Sequence, residues 1–127
     1  MITLSDIRRF VSDAQKACPA IDFDAISVCI CHGRISDGAV EARGLYNMGK
    51  RITISSILGK KEAFAVFLHE LGHHITFLQL GPEVYRLCSK YELEVFADMY
   101  ADDIVKELSF NFERWLGRKV GQIYMLS

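Results

Sequence analysis

The stretch "FAVFLHELGHHITF", residues 64–77, places three histidines and one glutamate in a run that is otherwise almost wholly apolar. Around it, apolar side chains recur at the three- and four-residue spacing of a helix, which predicts a helix over residues 60–80 that Gly81 and Pro82 end. Burying polar groups on such a helix is costly unless they find partners. The rest of the chain must therefore supply groups that compensate them.

A second long helix is predicted to begin near residue 89. Ser89 and Glu92 have the spacing of a capping box, in which each side chain accepts a hydrogen bond from the other residue's backbone N–H. The helical pattern continues through "LEVFADMYADDIVKEL" to about residue 108. The remaining tail predicts a short C-terminal helix or arm, whose aromatic residues we expect to cover the core: Phe110, Phe112 and Trp115.

The first half of the chain predicts one helix followed by strands. Ser5 is a candidate N-cap for the helix, and Pro19 ends it. Three strand-like runs follow at 24–32, 39–48 and 50–58, with turn residues between them, and they suggest an antiparallel meander. The sequence thus predicts a single α+β domain over residues 1–127, with a three-stranded, mostly antiparallel sheet and two long helices packed together.

Composition narrows the class of protein. The chain has 127 residues, of which 50% are hydrophobic and 24% charged, with a formal net charge of −1. This balance favours a globular domain and gives no strong attraction to nucleic acid or to an anionic membrane. The first ten residues lack the pattern of a signal peptide, and no apolar run is long enough to span a bilayer. We expect a cytoplasmic protein.

The cysteines have a structural interpretation and a metal-site alternative. All four, Cys18, Cys29, Cys31 and Cys88, are expected to remain thiols in a reducing compartment. The segment "VCICHG" (28–33) offers Cys29, Cys31 and His32 as possible metal ligands. In a strand, however, the two cysteines share one face and His32 points away from it. We favour a core strand over a metal site.

The opening stretch contains the pattern H-E-x-x-H as His69, Glu70 and His73. Residues four apart lie one above the other on a helix, so both histidines can reach a single ion. Glu70 is offset by about 100° in projection, which places its carboxylate beside the ion, where a base for an attacking water belongs. The alternative is that two ordinary histidines happen to fall four residues apart.

A third ligand is predicted on the second long helix. A catalytic zinc site takes three protein ligands and keeps one position open. Glu94 and Asp98 lie four residues apart, on one face of that helix. Glu94 can complete the site while Asp98 accepts the remaining N–H of a ligand histidine. Two imidazoles and one carboxylate favour zinc among the divalent ions.

These residues also carry a family resemblance. "HELGHH" followed by Glu94-x-x-Ala97-Asp98-x-Tyr100-Ala101 resembles the gluzincin metallopeptidases, and in particular the ImmA/IrrE-type domains. The similarity covers about residues 50–103, with Tyr100 where phenylalanine is usual. It implies a small zincin-like fold, with His69, His73 and Glu94 as zinc ligands, Glu70 as general base and Asp98 behind a ligand histidine.

The resemblance also implies what such a domain acts on. Its members are typically cytoplasmic peptidases, and several cleave DNA-binding repressors that are paired with them. We therefore expect a protein or peptide substrate, such as a regulatory protein. Since no helix-turn-helix segment is recognised in this chain, a DNA-binding regulator would be a separate protein. The oligomeric state is not predicted.

Two further features of the sequence have alternative interpretations. Hydrolysis needs a hydrogen-bond donor for the developing oxyanion, and the candidates are Tyr46, Tyr100 and His74. His74 and Tyr100 also suit simple packing roles. The run "ITIS" (52–55) could be an edge strand that pairs with an extended peptide, or only an inner strand of the sheet.

Three functions are compatible with the sequence. The favoured one is a zinc-dependent endopeptidase. The second is a metal-containing module that binds a partner protein without cleaving it, although such a module needs no base at Glu70. The third is a structural domain in which "HELGH" is fortuitous, and the acidic pair Glu94 and Asp98 argues against it.

Overall fold

The computed structural model of the chain describes residues 1–37 and 40–116. The helices are α1 (Leu4–Ala17), α2 (Lys60–Leu80), α3 (Pro82–Leu87) and α4 (Lys90–Leu116), and the strands are β1 (Ser27–Cys31), β2 (Ile35–Asp37), β3 (Val40–Ala42), β4 (Gly44–Asn47) and β5 (Arg51–Ser55). The α+β class predicted from the sequence is confirmed. No helix in these ranges is long and apolar enough to cross a membrane.

The main sheet is mixed, which corrects the predicted antiparallel meander. Its strand order is β1-β5-β4, with β5 parallel to β1 and antiparallel to β4. Strand β5 is therefore the inner strand, and the idea that "ITIS" forms an edge for peptide binding is wrong. The run predicted as one strand at 39–48 is divided at Arg43 into β3 and β4 where it is described, and β3 pairs with β2 in a separate ribbon.

Helix α1 begins two residues earlier than the predicted N-cap, Ser5, implies. Thr3, not Ser5, is the N-cap, because its hydroxyl accepts from the Asp6 backbone N–H while the Asp6 carboxylate accepts from the Thr3 backbone N–H at 2.8 Å. Ser5 lies within the first turn of the helix. A threonine and an aspartate three residues apart can satisfy two free N–H groups at once, which a lone serine does not.

Helix α2 has the predicted bounds, and Gly81 caps it with φ of +82°, a conformation that glycine adopts without strain. The predicted capping box at the start of α4 is present, with the Ser89 N–H 2.9 Å from Glu92 Oε1. Helix α4 extends to Leu116 rather than ending near residue 108. The predicted arm beyond residue 116 and the side chains of Phe110, Phe112 and Trp115 lie outside the described part of the chain.

The hydrophobic core lies between α2, α1 and the sheet. Phe10 of α1 packs edge-on against Phe64 of α2, with ring centroids 4.8 Å apart, and stacks on Phe67 at 5.9 Å. Ile52 and Ile54 of the inner strand are fully buried in the same hydrophobic cluster as these three rings. One side of α2 is thus fixed by apolar packing, which orients its other side toward α4.

The four cysteines are free and half-buried, as expected for thiols. Cys29 lies on β1 with its Sγ 3.6 Å from the carbonyl oxygen of Ile52 on β5. His32 is exposed. Within the residues described, the structure does not group Cys29, Cys31 and His32 as a possible metal site, in line with the core-strand interpretation.

Candidate metal centre

Helix α2 supplies three polar side chains on the side that faces α4. His69 and His73 lie one turn apart, with ring centroids 4.9 Å apart and ring planes nearly perpendicular. Glu70 and His73 are each 7% exposed. Most apolar residues of α2 pack into the core, so the helical repeat leaves the two histidines to face the neighbouring helix. Glu70 also lies against Gly44 of β4.

Helix α4 approaches α2 closely because of a glycine. A Cβ at Gly72 would lie 2.2 Å from the carbonyl oxygen of Ala97 and 2.8 Å from its Cα. Any side chain at position 72 would therefore push α4 away. This contact lies between the two histidines along α2 and between Glu94 and Asp98 along α4, so it sets the distance between both pairs.

Glu94 lies between the two histidines. Its Oε2 is 2.8 Å from His69 Nε2, and its Oε1 is 3.3 Å from His73 Nε2. One ligand atom from each of the three residues lies within 4.8 Å of the others, so this group could hold a metal ion. The structure thus brings together the three residues that the sequence predicted as ligands.

Asp98 contacts the far side of His69. Its Oδ1 is 2.9 Å from His69 Nδ1. A carboxylate at this nitrogen favours the tautomer with the proton on Nδ1 and leaves Nε2 free to bind a metal. Asp98 occupies the position that the sequence predicted for it.

Glu70 has an unusual environment for a carboxylate. Its Oε2 is buried and has no hydrogen-bond partner in the described structure. Burial raises the pKa of Glu70 to about 7; the charge of His69 lowers this pKa and that of Glu94 raises it. A pKa near neutrality suits a group that must take up and release a proton. Gly44 of β4 lies against it, since a Cβ there would meet Val66 Cγ1 at 2.4 Å and Glu70 Cγ at 3.2 Å.

The donor set fits a divalent metal ion. Burial and then the charge of His69 lower the pKa of His73, which favours the neutral imidazole that metals bind. Its Nε2 faces Glu94, while its buried Nδ1 has no hydrogen-bond partner among the residues described. Two imidazole nitrogens and one carboxylate are a ligand set of catalytic zinc sites, with a fourth position left open.

A cleft of about 1110 Å³ opens over these residues. Strand β4 contributes one wall through Gly44, Leu45 and Tyr46, and α4 contributes the other through Asp98 and Met99. The three candidate ligands and Glu70 all line this cleft. The site is therefore accessible to a ligand as large as a peptide segment.

The predicted oxyanion donors are not well placed. Tyr46 lines the cleft, but its hydroxyl accepts from the Gly49 N–H at 2.7 Å and lies 2.8 Å from His74 Nδ1. His74 is buried, and burial lowers its pKa. Neither His74 nor Tyr100 is among the residues that line the cleft. His74 serves to hold Tyr46, which is the packing alternative raised by the sequence.

The sequence interpretation missed three residues that shape the site. Tyr85 of α3 lines the cleft, and Gly44 and Gly72 allow β4 and α4 to approach α2. Gly72 could have been noticed, since glycine inside a helical pattern weakens the helix and usually has a packing reason. No local signal points to Gly44 or Tyr85, because their positions depend on how distant elements pack.

Comparisons of the chain with models of protein families, with curated proteins and with solved structures find no match. The resemblance to ImmA/IrrE-type domains rests on the residues of the chain itself.

Proposed function

We propose that the protein is a zinc-dependent peptidase that hydrolyses peptide bonds of a protein substrate. The observation that carries this proposal is the convergence of His69, His73 and Glu94 beside a buried carboxylate, Glu70, in an open cleft. A site that only stabilised the fold would be closed by a fourth protein ligand. Here the side toward the cleft is open, and a base lies next to it.

The chain's residues divide the work of hydrolysis. Zinc, when bound, supplies a Lewis acid that polarises the substrate carbonyl and acidifies water. Glu70 takes the proton from the attacking water and then passes it to the leaving amine, a role open to a carboxylate that is buried beside the ligands and has no other hydrogen-bond partner among the described residues for its Oε2. Asp98 keeps His69 in the tautomer that binds metal through Nε2.

The class of substrate follows from the resemblance and from the cleft. Several ImmA/IrrE-type domains cleave DNA-binding repressors, and we propose a separate, repressor-like protein as the substrate of this chain in the cytoplasm. The cleft between β4 and α4 has room for an extended segment of such a protein.

Replacing Glu70 by glutamine tests the proposal against a module that only binds its partner. Glu70→Gln keeps the shape of the side chain and removes the base, so we expect unchanged zinc content and a loss of turnover of about 10²- to 10⁴-fold. Turnover is measured as cleavage of fluorescently labelled, denatured casein by the zinc-loaded protein. The control is Glu62→Gln on the same helix, whose carboxylate pairs with Arg43 rather than with the site.

Zinc binding with no cleavage of casein by the wild-type protein would contradict a peptidase that accepts unfolded protein segments and would support the binding module. Equal cleavage by wild type and Glu70→Gln would show that Glu70 is not the base.

A further inference from the structure

Peptide hydrolysis puts negative charge on the carbonyl oxygen, and an enzyme gains most from a donor already aimed at that oxygen. The cleft residues with side-chain donors, beyond the histidines that line it, are Arg43, Tyr46, Tyr85 and Lys90. They differ in whether the donor group already forms a hydrogen bond or an ion pair with another residue.

Three of these four are poorly suited. The Tyr46 hydroxyl contacts the Gly49 N–H and His74. The Arg43 guanidinium forms an ion pair with Glu62 at 2.5 Å, so its donors are already engaged. Lys90 is exposed at the first turn of α4, where a long side chain is well solvated and mobile.

Tyr85 is different because its ring is fixed and its hydroxyl is free. The side chain is 9% exposed and packs edge-on against Phe77, with centroids 5.6 Å apart, and against Tyr46 at 6.4 Å. Its backbone N–H is bonded to the carbonyl oxygen of Gly81, which ties it to the end of α2. Tyr85 lines the cleft, and its hydroxyl makes no hydrogen bond with the described residues.

The phenol is also a donor at neutral pH. Burial raises the pKa of Tyr85 to about 12, and the charges of Tyr46, Glu70 and Glu94 add to this effect. Two of these groups are the proposed base and a proposed ligand, and Tyr85 lines the same cleft as both of them. With a pKa this far above neutrality, the phenol stays protonated and can donate a hydrogen bond without transferring its proton.

We propose that Tyr85 is a catalytic residue whose hydroxyl donates a hydrogen bond to the carbonyl oxygen of the scissile peptide as that oxygen gains negative charge. The inference rests on the proposed peptidase function and deepens it. In this step water oxygen bonds to the carbonyl carbon, the C–N bond breaks, and the water's proton reaches the amine through Glu70. Tyr85 keeps its own proton throughout.

The test is Tyr85→Phe in the zinc-loaded protein, with Tyr91→Phe as the control because Tyr91 is 78% exposed and does not line the cleft. We expect unchanged zinc content, a fall in kcat of about 10²- to 10³-fold on labelled casein, and little change in KM. The control should behave as wild type.

A second readout does not depend on turnover. An N-phosphoryl dipeptide presents a tetrahedral oxyanion to the site, whereas a dipeptide thiol binds zinc without one. Calorimetry should show that Tyr85→Phe loses about tenfold or more in affinity for the phosphoryl dipeptide, the effect of one hydrogen bond to a charged group, and keeps its affinity for the thiol.

Each outcome decides the inference. Equal kcat and equal phosphoryl-dipeptide affinity in Tyr85→Phe and wild type would overturn the role of Tyr85 and leave the peptidase standing. Equal losses for the phosphoryl dipeptide and the thiol would mean that the ring only shapes the cleft, which also overturns it. A wild-type protein that binds zinc but neither ligand, and cleaves nothing, would overturn the proposed function itself.

Discussion

The two sides of α2 are built on different principles. Toward α1, the aromatic rings of Phe10, Phe64 and Phe67 fill the space completely, and each is 0% exposed. Toward α4, histidines and carboxylates meet at a contact that only Gly72 allows. The first side is complete without any added group, whereas the second leaves polar atoms of Glu70 and His73 buried and without partners.

This difference separates stability from function within a single helix. Apolar packing of the first side holds α2 in place whatever the other side contains. The second side bears the cost of buried polar groups, a cost that a folded domain tolerates where the groups serve a purpose.

The largest effect is expected on the apolar side. Phe67→Ala removes a buried ring that contacts Phe10 and Phe64, and should lower the free energy of unfolding by about 3–5 kcal/mol. Urea unfolding measures this loss. Leu78→Ala, at a 54% exposed position of the same helix, should change it by no more than about 0.5 kcal/mol.

The comparison also predicts what Phe67→Ala leaves unchanged. Under conditions where the variant is folded, its zinc affinity should equal that of wild type. A large fall in zinc affinity would show that the two sides of α2 are not independent.

A side chain at position 72, between α2 and α4, should lower the affinity for zinc more than the removal of Asp98 does. A methyl at position 72 would overlap the backbone of Ala97 and displace Glu94 and Asp98 together. Gly72→Ala should therefore lower zinc affinity by more than about 100-fold, even though alanine favours a helix by about 1 kcal/mol. Gly59→Ala is the control, because nothing lies within 4 Å of a Cβ there. Unchanged zinc affinity in Gly72→Ala would mean that α4 is not positioned by this contact.

A smaller fall in zinc affinity is expected when Asp98, which contacts His69 Nδ1, is replaced. Asp98→Ala removes the carboxylate 2.9 Å from His69 Nδ1 and should weaken zinc binding by about 10- to 100-fold. Competition with a chromophoric chelator measures the affinity. Asp103→Ala makes the same change of charge at an exposed site on α4. If both variants lose affinity equally, the effect is one of overall charge and not of the Asp98–His69 contact.

The smallest effect lies at the start of α1, far from the site. Hydrogen bonds with Thr3, with a contribution from Lys60, lower the pKa of Asp6 although burial alone would raise it. Such a group stabilises the fold above its unfolded pKa, and the contribution is lost as pH falls through the lower, folded pKa. Asp6→Ala should cost about 1 kcal/mol at pH 7, and its difference from wild type should shrink as the pH falls below 3.8 and vanish once the pH is below the lowered pKa of the folded state. Thermal unfolding across pH measures this, and a difference that persists in acid would show that the charge is not responsible.

The sequence predicted the polar side of α2 better than it predicted the sheet. His69, His73, Glu94 and Asp98 lie on helices, where spacing along the chain fixes which side chains share a face. The structure accordingly brings these four together. Strand pairing has no such local code, and the parallel pairing of β1 with β5 joins runs more than twenty residues apart. Tyr85 was missed because its position also depends on contacts between elements that lie apart in the sequence. It lies on the short helix α3 and packs against Tyr46 and Phe77.

The most direct test of the account is the zinc content of the purified, tag-free protein by plasma mass spectrometry, after incubation with zinc and removal of the unbound ion. Wild type should retain about one zinc per chain, as expected for a single three-ligand site. His73→Ala and Glu94→Ala should retain little, with circular dichroism confirming that they are folded. Retention of zinc by both variants would place the metal elsewhere, and a wild-type protein that retains none would contradict the metal centre between α2 and α4.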